Sequence, residues 1–313
     1  MNNIKFAIVT DNSNEPSYYC KDDGYFRVDN HEDVTSTDLP FAAFWTYPAL
    51  FDGYYINLKN PIYPDIQFDI IFAAIECDIK YLDVLRTLYP NAIIVGMYKE
   101  YWNNDSSVRN YVIENTDAYI QPYLTIDDIY RRLGCSEPKK SYVIPQPINH
   151  KLLREKYTTE KRDVIFNYQK KTSRRESTNN ELILKQISES ELGLGIVNYT
   201  GIRGLQPFIK GWSDCKYMLS TDEFIFGGVQ SVQCAVLDTI MVGGNNDNHR
   251  VLFPELVGTN VDFLVSKIKQ LKSDSEYRNK VQSYAYETCI NTFSYDAVRE
   301  QILNLYNDLT NGN

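Results

Sequence analysis

The sequence predicts an α/β protein built from two Rossmann-like domains, each a mostly parallel sheet covered by helices on both faces. Three observations lead there. At 313 residues the chain exceeds what one small hydrophobic core serves and suits two compact domains. Short, nearly continuous apolar runs alternate with helical stretches, the pattern of strands buried on both faces and joined by helical crossovers. A segment broken by two prolines, KSYVIPQPIN (140–149), interrupts this series, and a second series of the same kind follows it.

The first expected strand is IKFAIVT (4–10), which ends in the polar loop DNSNEPS. The aromatic and acidic stretch that continues to about Asp38 supports no assignment. FDIIFAAI (68–75), a helix through YLDVLRTLY (81–89) and NAIIVGMY (91–98) make a strand-helix-strand unit. A helix over about 105–115 leads to the strand DAYIQPY (117–123), and TIDDIYRRLG (125–134) reads as a helix with Thr125 as N-cap and Gly134 as its stop. The strand 140–149 ends at its prolines, and the boundary of the N-terminal domain, 1–150, is placed there.

The second series comprises RDVIFNYQ (162–169), a helix over about 176–190, GLGIVNYTG (193–201), CKYMLSTD (215–222), a helix over about 228–237, and DTIMVGG (238–244). Three helical segments close the chain. VDFLVSKIKQLK (261–272) aligns Val261, Leu264, Ile268 and Leu271 on one stripe, and DSEYRNKVQSYAYETC (274–289) starts from an aspartate cap. SYDAVREQILNLYNDL (294–309) aligns Val298, Ile302, Leu305 and Leu309. The second domain is therefore expected over 151–295, followed by a final helix at 296–313.

Composition is globular, with 43% apolar and 23% charged residues. No run approaches the roughly 20 apolar residues that a membrane helix needs, and the chain starts directly on a strand, so a soluble, cytoplasmic protein without membrane insertion is expected. The six cysteines are far apart with no CxxC pair, and there are three histidines, which argues against a zinc cage and for reduced, mostly buried thiols. With 32 basic against 41 acidic residues the formal charge is −9, so nucleic acid would have to be held by a local basic patch. No GxGxxG follows the first strand, which disfavours a dinucleotide-dependent dehydrogenase.

Two stretches carry a family likeness. From Cys215 to Gly244 the chain reads CKYMLSTDEFIFGGVQSVQCAVLDTIMVGG, a strand, an acidic loop with an FG pair, a helix of small residues and a short strand. FLVSKIKQLKSDSEYRNKVQSYAYETCINTFSYDAVREQILNLY follows as a helical tail. In both, the second half resembles the C-terminal domain of GT-B glycosyltransferases, and the first half resembles them in architecture. The resemblance implies two Rossmann-like domains facing across a cleft, a last helix crossing back to the first domain, and a nucleotide-sugar donor, foremost a UDP-sugar, used without a tightly bound metal. Within the family the tail and the strand containing Thr239 and Ile240 are most similar to phage DNA glucosyltransferases. That branch implies a hydroxymethylpyrimidine in DNA as acceptor and the host cytoplasm as location; other free-hydroxyl acceptors are a glycan, a lipid or a protein. One departure stands out: with Gly227 matched to the family's loop glycine, the paired acidic positions fall on Phe224 and Val232, while Glu223, Gln230 and Gln233 lie close by.

A departing diphosphate needs positive charge or helix N-termini where negative charge builds up. Lys170, Lys171, Arg174 and Arg175 follow the first strand of the second series, at the carboxyl edge where open α/β sheets bind ligands. Lys170 and Arg175 have the spacing of the basic pair that the resemblance assigns to the diphosphate. DEFIFGG (222–228) offers Glu223 to sugar or ribose hydroxyls and Gly227 and Gly228 for close backbone approach, and Gly243 closes the next strand at the same edge. An acceptor alcohol needs a base as the new bond forms. Asp11, Glu76 and Glu100 each follow a strand of the first series, and the resemblance points to Glu100 first. A sugar-nucleotide epimerase and a non-catalytic two-lobed binding protein are the alternative readings.

Overall fold

The structure is a computed structural model that describes residues 4–11, 25–27, 43–59, 63–75, 78–97, 106–168, 179–190, 192–198, 205–221 and 228–311. The first half contains β1 (Phe6–Thr10), β2 (Tyr25–Arg27), α1 (Ala43–Ala49), β3 (Tyr54–Asn57), β4 (Ile70–Ala74), α2 (Lys80–Leu88), β5 (Ile93–Met97), α3 (Ser106–Asn115), β6 (Ala118–Gln121), α4 (Ile129–Arg132) and β7 (Ser141–Val143). Its strands form one sheet in the order β2-β3-β1-β4-β5-β6-β7. Every pair is parallel except β2 with β3 at the edge.

The apolar runs are continuous because both faces are covered. Ala7 and Val9 of β1 join Ile71, Ala73 and Ile94 in one core, with Leu82 and Leu85 of α2 and Val112 of α3 packed on it. Phe6 and Ile8 point the other way, into a core with Tyr47, Phe72 and Val95. An alternating polar face would leave one of these layers wet.

The second half contains α5 (His150–Tyr157), β8 (Arg162–Asn167), α6 (Asn179–Ser188), β9 (Gly195–Asn198), α7 (Leu205–Trp212), β10 (Cys215–Leu219), α8 (Val229–Val236), β11 (Ile240–Val242), α9 (Asp247–Leu252), α10 (Val261–Ser273), α11 (Ser275–Phe293) and α12 (Tyr295–Asn311). Here four parallel strands run in the order β11-β10-β8-β9. Their core takes in Trp212, Tyr217, Met218 and Ile240 and is sealed by Leu264, Ile268 and Leu271 of α10 and by Ala285 and Cys289 of α11. Asp274 caps α11 by accepting from Tyr277 N–H at 2.9 Å, as its sequence position suggested.

The chain crosses between the two sheets twice, and the crossings are bonded together. Ile148 N–H donates to Phe293 O at 2.7 Å. Past that point α12 runs back onto the first sheet, where Val298, Ile302, Leu305 and Leu309 enter the core of Phe6 and Phe72. Arg299 fixes the same helix by donating to Leu50 O at 3.1 Å, with its guanidinium over the Phe51 ring. Tyr142 donates to the Asp308 carboxylate; burial, with that neighbouring negative charge, pushes the phenol up to about 12. The helix that crosses back is thus held by packing and by polar contacts.

Four helices escaped the sequence reading: α1, α5, α7 and α9, none longer than eight residues. Short segments show too few turns for periodicity, and α1 and α7 contain Pro48 and Pro207. Thr125 is also corrected. The cap of α4 is Asp128, whose carboxylate pairs with Arg131 and Arg132, while Thr125 is drawn into contacts with the second half. Gly134, at φ 63°, does follow the end of α4 as its stop. Among the described residues no helix is long and apolar enough to cross a membrane.

Candidate functional site

Open parallel sheets bind ligands at the carboxyl edge, where the strand order reverses direction. In the second sheet that point lies between β8 and β10, since β8 connects to β9 on one side and β10 returns on the other. In the first it lies between β1 and β4. Both switch points carry buried polar residues.

At the second switch point, Asn167 ends β8 and accepts from Asn180 Nδ2 at 2.6 Å, while donating to Asn198 Oδ1 at 2.9 Å. Asn180 Oδ1 in turn accepts from Thr221 Oγ1 at 2.6 Å and, more weakly, from Thr221 N–H at 3.2 Å. This network ties the ends of β8, β9 and β10 to the start of α6, so the loops leaving the edge start from fixed positions. Gln230 of α8 reaches across to the Tyr168 hydroxyl at 3.3 Å.

Gly228 caps α8 at φ 116°, a conformation that residues with a β-carbon rarely adopt. The N–H groups of Val229 and Gln230 lie in the first turn and have no intrahelical acceptor, so the helix start offers donors and the positive end of its dipole. Gly243 and Gly244, at φ 90° and 81°, follow β11. Their amides are already engaged: Gly243 N–H donates to Leu256 O at 2.9 Å, and Gly244 N–H to Gly258 O at 2.8 Å. Gly243 is therefore a shape requirement, because a β-carbon there would stand 2.5 Å from Ser220 O.

The following turn is ordered by asparagine. Asn246 Oδ1 accepts from His249 N–H at 2.9 Å and caps α9, and Asn245 Oδ1 accepts from Arg250 Nε at 3.0 Å. Beneath the turn His249 is fully buried against Phe253, and among the described residues no partner satisfies hydrogen-bond geometry at either ring nitrogen. Burial pushes its pKa down to about 4, with the nearby Leu256 backbone opposing the shift.

Asp11 follows β1 at the first switch point and is buried, with Oδ2 accepting from Asp78 N–H at 2.8 Å. It thus bonds the loop after β1 to the segment after β4. Glu76, Glu100, Lys170, Lys171, Arg174, Arg175, Glu223 and Gly227 lie outside the described residues. Val232, one of the paired positions in the register on Gly227, is buried in the second core and packs away from solvent.

The two carboxyl edges meet. Leu124 and Thr125, just past β6, donate to the carboxylate of Asp247, just past β11, in three bonds of 2.6 to 2.7 Å. From there β1 is three strands away in one sheet and β8 two strands away in the other. At strand spacings of about 4.8 Å, β1 and β8, which flank the two switch points, lie roughly 14 and 10 Å along their edges from this contact. Asp247 and the asparagines are the site residues that sequence reasoning passed over; an asparagine ahead of a helix start was the readable signal.

Two doubly wound sheets with touching carboxyl edges, joined by paired crossings and a returning C-terminal helix, constitute the GT-B fold. Solved structures match it in that form. HepE of Anabaena, in complex with UDP and glucose, aligns over 96% of this chain and 99% of its own at a TM-score of 0.59 and 10% identity. A glycosyltransferase from Rickettsia africae aligns over 79% and 78% at a TM-score of 0.51 and 14% identity. Sucrose-phosphate synthase from Thermosynechococcus elongatus covers 79% and 75% at a TM-score of 0.50 and 14% identity. At such identities the likeness is one of fold. No family model and no curated protein matches the sequence.

Proposed function

We propose that this chain is a glycosyltransferase that moves a sugar from a nucleotide-sugar donor, a UDP-sugar, to a hydroxyl acceptor. The observation that carries the reading is the pairing of edges: the start of α8, whose first-turn N–H groups have no intrahelical acceptor, stands at the switch point of one sheet, and the Thr125–Asp247 contact brings that edge against the other. Two apposed carboxyl edges suit a reaction with two substrates. The nucleotide diphosphate lies on the helix N-terminus, where developing negative charge is stabilised. The acceptor enters from the first sheet, where a carboxylate takes its proton.

HepE, of the same fold, was solved with UDP-glucose and with UDP and glucose, which supports the choice of donor class. Lys170 and Arg175 are assigned to the diphosphate, with Lys171 and Arg174 beside them; Glu223 is assigned to donor hydroxyls. Glu100 is assigned as the base, with Asp11 and Glu76 as the other carboxylates of that edge. The acceptor is a hydroxyl group, and DNA carrying hydroxymethylpyrimidine belongs in the acceptor panel beside glycans and lipids.

The test is a thermal-shift screen against nucleoside diphosphates and nucleotide sugars, followed by UDP release from the donor that binds. A ligand that binds only the folded form raises its stability by mass action. Stabilisation by UDP and UDP-glucose with UDP release supports the reading. Stabilisation without release under any acceptor would instead make this a two-lobed binding protein, and no response to any nucleotide would end the donor assignment.

A further inference from the structure

Asp247 is buried, and the acceptors of its carboxylate are turned out of its own lobe. Oδ2 takes the Leu124 N–H at 2.7 Å, and Oδ1 takes both the Thr125 N–H at 2.7 Å and the Thr125 hydroxyl at 2.6 Å. All three donors are neutral and belong to the first lobe. A charge this deeply buried is tolerable only while its hydrogen bonds persist, so the contact is closer to an all-or-none clasp than to a gradual attraction. Thr125, which reads in sequence as a helix cap, instead commits both its amide and its hydroxyl across the interface.

On its own side Asp247 is the first residue of α9, immediately after the cap Asn246. Asn246 sits so close to Gly228 that a β-carbon there would fall 2.0 Å from its Oδ1. The chain of contacts therefore runs from Thr125 through Asp247 and Asn246 to the N-terminus of α8. We infer that Asp247 is a positioning residue: it registers the α8 start, together with the 243–248 turn, against the first lobe. Its consequence for turnover rests on the sugar-transfer reading; the clasp itself does not.

The test uses the full chain carrying Asp247→Asn, Thr125→Val or Thr125→Ser, with two readouts. Amide hydrogen exchange at Leu124 and Thr125 reads the clasp directly. Asp247→Asn should speed exchange there at least tenfold, since its amide nitrogen would face a backbone donor, while exchange at Gly243 and Gly244 stays within about twofold. Thr125→Val should show a smaller rise, and Thr125→Ser, which keeps the hydroxyl, should remain near wild type. The second readout sets UDP affinity, by calorimetry, against the rate of UDP release from UDP-glucose. Asp247→Asn should keep affinity within about threefold and lose release at least tenfold, a split that general unfolding does not produce. Unchanged exchange at 124–125, or equal losses of affinity and rate, would overturn the inference. Should Asp247→Asn fail to fold, Thr125→Val against Thr125→Ser decides by the same two measures. Should wild type not bind UDP, the donor reading fails and the exchange data still judge the clasp.

Discussion

Gly228 and Asn246 are in such close contact that only a glycine can occupy the first position: an added β-carbon would lie 2.0 Å from Asn246 Oδ1. The Gly228 cap of α8 and the turn that starts α9 thus form one unit at the carboxyl edge of the second sheet. Because Gly228 also holds φ at 116°, the requirement is both conformational and steric.

Gly228→Ala should destabilise the chain by about 3 kcal/mol, from left-handed strain plus overpacking. Asn246→Gly should relieve the steric part, so in urea unfolding the double variant should be less destabilised than the sum of the single changes. Strict additivity would show that the two residues do not share a constraint.

Ile302→Ala tests where the last helix belongs. Ile302 is fully buried in the core shared with Phe6, Phe72 and Val95. Its truncation should cost about 2 to 4 kcal/mol in denaturant unfolding, as for other buried isoleucines. A change within about 0.5 kcal/mol would place the side chain on a surface instead.

His249 should make stability depend on pH. Its folded pKa near 4 lies below the ordinary 6.5, so between those values the unfolded chain binds more protons than the folded one. Stability from this group is therefore full above about pH 6.5 and is lost as pH falls towards 4, by about 3 kcal/mol in all. His249→Leu should remove that component. Unfolding curves of the two proteins should converge or cross as pH is lowered from 7 to 4; a constant separation would be the contrary result.

Lys170→Ala and Arg175→Ala should each raise the KM for UDP-glucose roughly tenfold, the scale of one hydrogen bond to a charged group, with little change in thermal stability. Glu100→Gln should lower kcat by about a hundredfold and leave donor KM nearly unchanged if it takes the acceptor's proton. Normal kinetics in both basic variants would remove the diphosphate clamp, and equal losses in kcat and affinity at Glu100 would make it a binding residue.

Much of the fold was legible because its signals are local. Runs such as Ile70 to Ala74 and Ile93 to Met97 are apolar on both faces, which suits a strand in a parallel sheet, and the stripe from Val298 to Leu309 has the spacing of a helix face. The Asp274 cap could be read for the same reason, its partner being three residues away. Thr125 could not. Its local context is that of an N-cap, but the carboxylate that claims it lies 122 positions along the chain. Gly243 shows the same limit: a glycine pair after a strand suits phosphate binding, but that its amide is answered by Leu256 and a side chain excluded by Ser220 could not be read locally.

The sequence by itself determined two series of buried strands and crossover helices, a break between them, and a set of charged residues at strand ends. These follow from hydrophobic period and turn chemistry within a dozen residues. Only the tertiary structure decided that the two carboxyl edges touch, that Leu124 and Thr125 bond to Asp247 across them, and that the amides of Gly243 and Gly244 are already engaged. Those outcomes depend on which polar groups meet once both cores have formed, and a buried carboxylate is satisfied by whatever donors packing brings to it.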